Sequence, residues 1–131
     1  MGTGRPGPRN LGAVRLLVVD DDVSVGKLMR AIFDRDGWEV TNATSGEECL
    51  SMVREAPPDV IVLDNMMPGL TGIETARQLR RDGFAKPIVL FSAYVGPDLE
   101  RAAEELDLKP VAKVDTQAVI RIVDSLGGAF T

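Results

Sequence analysis

Four short apolar runs each end in a residue suited to holding a phosphoryl group. Leu16-Leu17-Val18-Val19 runs into Asp20-Asp21-Asp22, Val60-Ile61-Val62-Leu63 into Asp64, Ile88-Val89-Leu90-Phe91 into Ser92, and Val111-Ala112 into Lys113. In an open parallel α/β sheet, ligands bind beyond the carboxyl ends of the strands, so residues distant in sequence meet in one crevice. Asp20, Asp21, Asp64, Ser92 and Lys113 would then share a site of three carboxylates, a hydroxyl and an ammonium. Singly, each has a plainer reading: Asp20 or Asp22 as a helix cap, Ser92 as a turn residue, Lys113 as a solvated charge. Their order and their common placement at strand ends argue for chemistry.

The elements that would position them alternate along the chain. After a strand ending at Val19, Val25, Leu28, Met29, Ile32 and Phe33 recur at helical spacing, and Gly37 stops that helix before a strand from Glu39 to Ala43. Ser45 with Glu48, or Thr44 with Glu47, predicts a capping box for a second helix ending near Pro57-Pro58. Pro68-Gly69 is a turn, and Thr71 with Glu74 predicts a capping box for a third helix carrying Ile73, Ala76 and Leu79. Pro97 fits the first turn of a fourth helix with Leu99, Ala102, Ala103 and Leu106 on one stripe. A short fifth strand is expected at about 111–113, and Asp115 as the cap of a last helix whose Val119, Ile120, Val123 and Leu126 face inward until Gly127-Gly128. Right-handed crossovers of this length give a doubly wound parallel sheet with strand one central and helices on both faces.

Composition bounds the function. A chain of 131 residues is one domain, expected to bury roughly two-thirds of its extended surface. Residues 1–13, rich in Gly and Pro, read as a flexible tail, leaving 14–128 as the folded unit. A net charge of −5 argues against direct nucleic-acid binding, and Trp38 and Tyr94 lack the basic neighbours of base-stacking residues. Cys49 is the only cysteine, so it reads as a small semi-apolar helix residue rather than half of a disulfide. No stretch approaches the ~18 apolar residues of a membrane span and no apolar signal segment is seen, so a cytoplasmic location is expected.

Val18-Val19-Asp20-Asp21, Asp64 with Met66-Met67-Pro68-Gly69 and Gly72, then Ser92-Ala93, and finally Lys113 resemble, in order, the motifs of response regulator receiver domains of the chemotaxis-regulator type. The resemblance runs from Arg15 to about Leu126. It implies a flavodoxin-like (βα)5 fold with strand order 2-1-3-4-5, and phosphoryl transfer from a phosphohistidine of a sensor histidine kinase, or of a phosphotransfer protein, to the Asp64 carboxylate. Carboxylates can act as such nucleophiles. By the family pattern Asp21 and Asp64 would bind Mg²⁺ directly, Asp20 through water and Met66 through its backbone carbonyl, with Mn²⁺ as a substitute. Three carboxylates, the ion and Lys113 sum to zero formal charge. Phosphorylation takes Asp64 from −1 to about −2, and Ser92, Ala93 and Lys113 would meet the new oxygens. A downstream protein target would then read the face formed by helix four, strand five and helix five; Leu99, Glu100, Arg101, Glu104, Glu105 and Leu106 could form a partner or dimer surface there, or equally belong to an ordinary amphipathic helix.

The sequence departs from that pattern in two places. Val114 follows Lys113 where a proline is usual, which puts the customary cis junction in doubt; Lys109-Pro110 is no substitute, since Lys109 would enter strand five rather than leave it. Pro110 also occupies the position of a switching aromatic. Met66 and Tyr94, each two residues beyond a site residue, put apolar bulk where an attacking water would stand, which predicts slow dephosphorylation. Two other classes compete. A receiver-like scaffold would bind partners without phosphorylation. A haloacid-dehalogenase-type phosphatase would use Asp20 as nucleophile and Asp22 as general acid, but leaves Asp64 to Gly72 unexplained. The folded unit is expected to be either a stand-alone regulator acting by protein contact, which Met1 and the leader favour, or an excised piece of a longer protein, and in both cases to catalyse only its own phosphorylation and dephosphorylation.

Overall fold

A computed structural model describes residues 14–34, 37–113 and 116–128. Five strands, β1 (Arg15–Val19), β2 (Glu39–Ala43), β3 (Val60–Leu63), β4 (Ile88–Ser92) and β5 (Leu108–Ala112), alternate with five helices, α1 (Val23–Phe33), α2 (Gly46–Glu55), α3 (Gly72–Arg81), α4 (Pro97–Leu106) and α5 (Thr116–Gly128). The sheet is wholly parallel, in the order β2-β1-β3-β4-β5.

The continuous apolar runs of β1, β3 and β4 are explained by burial on both faces. Leu17, Val19, Ile61, Leu63, Ile88 and Leu90 form one core layer with Cys49, Val53, Ala76, Leu79 and Leu106 of α2, α3 and α4. Their alternate neighbours Leu16, Val18, Val60, Val62, Val89 and Phe91 form the other, with Met29 and Phe33 of α1 and Val119 and Val123 of α5. Ile120 and Leu126 pack beside that layer, half-buried.

Local sequence chemistry sets the helix ends. Asp22 caps α1, accepting from the Ser24 N–H at 3.0 Å. Of the two pairings expected for the α2 cap, Ser45 with Glu48 is the one formed: Ser45 Oγ accepts from the Glu48 N–H at 3.0 Å, while the Glu48 carboxylate accepts from the Thr44 N–H at 2.7 Å rather than from that of the cap itself. At α3 the box is complete, with Glu74 N–H to Thr71 Oγ1 at 3.1 Å and Thr71 N–H to Glu74 Oε1 at 2.9 Å. Pro97 opens α4, and Asp107 closes it in the left-handed region at φ 56°.

Strand five is a correction. It begins at Leu108, not near 111, and ends at Ala112, so Lys113 follows the strand instead of closing it. Leu108 and Val111 are buried while Lys109 and Pro110 are exposed. Pro110 sits inside the strand, which is accommodated because β5 is an edge and a proline's missing N–H costs little there. Arg80, unremarkable in the sequence, holds this corner: Nε donates to the Leu106 carbonyl and Nη2 to that of Asp107, both at 2.9 Å, while Nη1 donates to those of Phe84 and Lys86. The expected cap Asp115, the Lys113–Val114 junction and the leader 1–13 lie outside the described residues.

Candidate functional site

Strand register brings the site together. Val19 pairs with Leu63 and Leu63 with Leu90, so Asp20 and Asp64 leave adjacent strand ends side by side and Ser92 ends the next strand. Backbone bonds hold the ends in place: Asp64 N–H donates to the Val19 carbonyl at 2.9 Å, Asp20 N–H to that of Ala43 at 3.1 Å, and Lys113 N–H to that of Ser92 at 2.7 Å.

Asp20 and Asp64 are 4% and 3% exposed, and Ser92 is 1% exposed. Asp21 stands at the exposed rim, yet one carboxylate oxygen from each of Asp20, Asp21 and Asp64 lies within 4.8 Å of the others. Lys113 Nζ reaches Asp20 Oδ2 at 2.8 Å and Asp64 Oδ1 at 3.4 Å. The main chain contributes too, with Asp22 N–H donating to Asp20 Oδ1 at 2.8 Å and Met66 N–H to Asp64 Oδ1 at 3.2 Å.

The electrostatics follow from this crowding. Burial, and then the neighbouring Asp20 carboxylate, hold Asp64 above the usual carboxylate range, only partly offset by Lys113 and the Met66 N–H. Burial alone would depress the Lys113 ammonium, but its contacts with Asp20 and Asp64 outweigh it and raise the group. Three carboxylates against one ammonium leave a formal −2. Asp20 Oδ2 is buried with no hydrogen-bond donor beyond that ion pair. An oxygen-rich, under-compensated cluster of this kind fits a hard divalent cation such as Mg²⁺.

Asp22 does other work. Its carboxylate accepts from both the N–H and the hydroxyl of Ser24, which pulls its pKa down, so it caps a helix and is poorly suited to act as the general acid of a phosphatase. Met66 and Tyr94 are 69% and 75% exposed, and with Asn65, Ser92, Pro97 and Leu99 they border a cavity of about 420 Å³ beside the site. Ala93 is exposed next to Ser92.

Two residues matter more than their types suggested. A Cβ on Gly72 would lie 2.4 Å from the Asp64 carbonyl oxygen, so α3 begins against the backbone of the phosphoacceptor candidate. Asn65 bonds to α3 through both main chain and side chain. No periodicity or cap pattern marks Asn65, because the N–H that its side chain serves is eight residues away.

Residues 16–118 match the family described as Response regulator receiver domain. The chain belongs to that family. Among relatives of this receiver, the alkaline phosphatase synthesis transcriptional regulatory protein PhoP of Bacillus subtilis is 34% identical over 116 residues, covering 83% of this chain and 48% of that protein. The transcriptional regulatory protein AfsQ1 of Streptomyces coelicolor is 38% identical over 113 residues, covering 82% and 50%. The receiver thus spans about half the length of these curated relatives. Among solved structures, the receiver domain of the Francisella response regulator 1452 superposes with a TM-score of 0.81 at 27% identity, covering 90% of this chain and 99% of that one. TrrA of Thermotoga maritima, in complex with Mg(2+)-BeF, gives 0.75 at 28% identity, covering 86% and 98%. No described helix is long and apolar enough to cross a membrane.

Proposed function

We propose that this receiver, spanning residues 14–128, accepts a phosphoryl group on the Asp64 carboxylate from a phosphohistidine of a sensor histidine kinase or phosphotransfer protein. The observation that carries the reading is one lysine ammonium reaching two buried carboxylates, Asp20 and Asp64, at the end of a parallel sheet. An Asp64 oxygen forms the new O–P bond as the N–P bond of the donor breaks; the departing imidazole nitrogen keeps the electron pair and takes up a proton. Asp20, Asp21, Asp64 and the Met66 carbonyl would hold Mg²⁺ or Mn²⁺, which supplies positive charge against the phosphoryl oxygens when bound. Lys113, the Ser92 hydroxyl and the Ala93 backbone would receive the charge gained by Asp64.

The consequences are a bound phosphoryl group that water removes slowly, because Met66 and Tyr94 crowd its approach, and a signal passed by protein contact through the face of α4, β5 and α5, which could also join two copies. Ser92 would move toward the phosphoryl group, and with Pro110 in place of an aromatic that movement would reach the face without the usual side-chain partner. A cytoplasmic setting suits a kinase-fed acceptor. The expectation of no nucleic-acid contact rested on net charge and loses that support, since relatives such as MtrA of Mycobacterium tuberculosis are named as DNA-binding over a chain twice as long as the match.

Borohydride reduction tests the assignment, because it converts an aspartyl phosphate to homoserine. Peptide mass mapping after treatment with a phosphodonor should place homoserine at position 64. Homoserine at position 20 would favour the phosphatase, and none at any position the scaffold.

A further inference from the structure

We infer that Asn65 is a positioning residue for the Asp64 site, tying the phosphoacceptor loop to the first turn of α3. The inference deepens the phosphoacceptor reading and rests on it. Gly72, Ile73 and Glu74 open α3, and their N–H groups have no acceptor within the helix. Gly72 N–H donates to the Asn65 carbonyl at 3.0 Å and Ile73 N–H to Asn65 Oδ1 at 3.1 Å, whereas Glu74 N–H goes to the Thr71 hydroxyl at 3.1 Å. Two of the three donors therefore end on the residue that follows Asp64.

These bonds close residues 65–71 into a loop pinned at its base, and the bareness of Gly72 permits the close approach, since a Cβ there would stand 2.7 Å from the Asn65 Cα. Inside the loop, Met66 N–H donates to Asp64 Oδ1 at 3.2 Å, and the Met66 carbonyl is the main-chain ligand proposed for the metal. Asn65 lies between Asp64 and Met66 in the chain. Its side-chain bond to α3 fixes the peptide linking the carboxylate to that carbonyl, so losing the bond frees the N–H contact and the metal ligand together. An aliphatic side chain at 65 would also leave the Ile73 N–H unpaired at a half-buried position.

The test compares Asn65→Leu, Asn65→Asp and Thr71→Ala in the full chain. Thr71→Ala removes a cap of the same kind from the same turn without touching the residue beside Asp64. Both Asn65→Leu and Thr71→Ala should lower the thermal midpoint. Only Asn65→Leu should weaken Mn²⁺ binding, followed by electron paramagnetic resonance, by about fivefold, the weight of one cap. It alone should also speed amide exchange at Met66 in the metal-free protein, and Asn65→Asp, which keeps an acceptor oxygen in place, should retain the slow exchange. Equal affinity loss in Asn65→Leu and Thr71→Ala, or unchanged affinity and Met66 exchange in Asn65→Leu, would overturn the inference. A wild-type chain that bound no Mn²⁺ and took no phosphoryl group would instead refute the proposed function, and the metal-free exchange at Met66 would still decide the role of Asn65.

Discussion

Gly72→Ala is the sharpest structural perturbation of the site. The added methyl would meet the Asp64 carbonyl oxygen at 2.4 Å, the Asn65 Cα at 2.7 Å and the Asp64 carbonyl carbon at 2.9 Å, all backbone atoms that no rotamer change can move. To relieve the contact α3 must back away, yet its Ala76 and Leu79 are buried in the same core layer as Ile61, Leu63 and Leu90. Overpacking of this kind costs about 3 kcal/mol, and the better helix propensity of alanine returns less than about 1 kcal/mol. A net loss of about 2 kcal/mol, spread over the unfolding entropy of a chain of 131 residues, lowers the melting temperature by about 7 °C. Gly26→Ala is the matched control. Its Cβ would also come too close, 2.6 Å from Asn42 Oδ1, but that atom belongs to a side chain able to rotate away. Thermal unfolding followed by circular dichroism should therefore show a clear loss for Gly72→Ala and a shift within about 2 °C for Gly26→Ala. Equal losses, or an unchanged midpoint for Gly72→Ala, would refute the argument that backbone contact at Asp64 fixes where α3 begins.

Further outcomes follow from the same geometry. Because burial and Asp20 raise Asp64 above its ordinary value of 3.8, its contribution to stability is full below that value and is lost as pH rises through the higher folded one. Asp64→Asn should accordingly melt above wild type at neutral pH in chelator, with the gap closing in acid; a constant gap would contradict the cause assigned. Burial pushes the Cys49 thiol up to about 12, so only about one molecule in ten thousand carries a thiolate at pH 8, and thiol reagents should label the protein only on unfolding. Met66→Asn combined with Tyr94→Glu should shorten the phosphoryl lifetime about tenfold by giving the attacking water polar partners; an unchanged half-life would remove the crowding argument.

Much of the fold was legible because its signals are local. Uninterrupted apolar runs such as Val60-Ile61-Val62-Leu63 announce doubly covered strands, and Thr71 with Glu74 or Pro97 announces a helix start. The start of strand five was placed too late because only Val111-Ala112 reads as an apolar run, whereas an edge strand such as β5 buries just Leu108 and Val111 and leaves Lys109 and Pro110 exposed. The carboxylate cluster and Lys113 could be named from strand-end placement, since parallel register converts order along the chain into proximity. Asn65 and Arg80 left no such trace. Their partners are backbone groups, which every residue carries, and only the folded arrangement selects which carbonyl or N–H stands within reach.

Phosphoryl acceptance at Asp64 is decided by the intact mass of the protein after incubation with acetyl phosphate and Mg²⁺, beside Asp64→Asn and a sample in chelator. The wild-type chain with metal should gain one phosphoryl group, and neither of the others should gain any. A gain that survives Asp64→Asn, or that needs no metal, would contradict metal-dependent acceptance at Asp64.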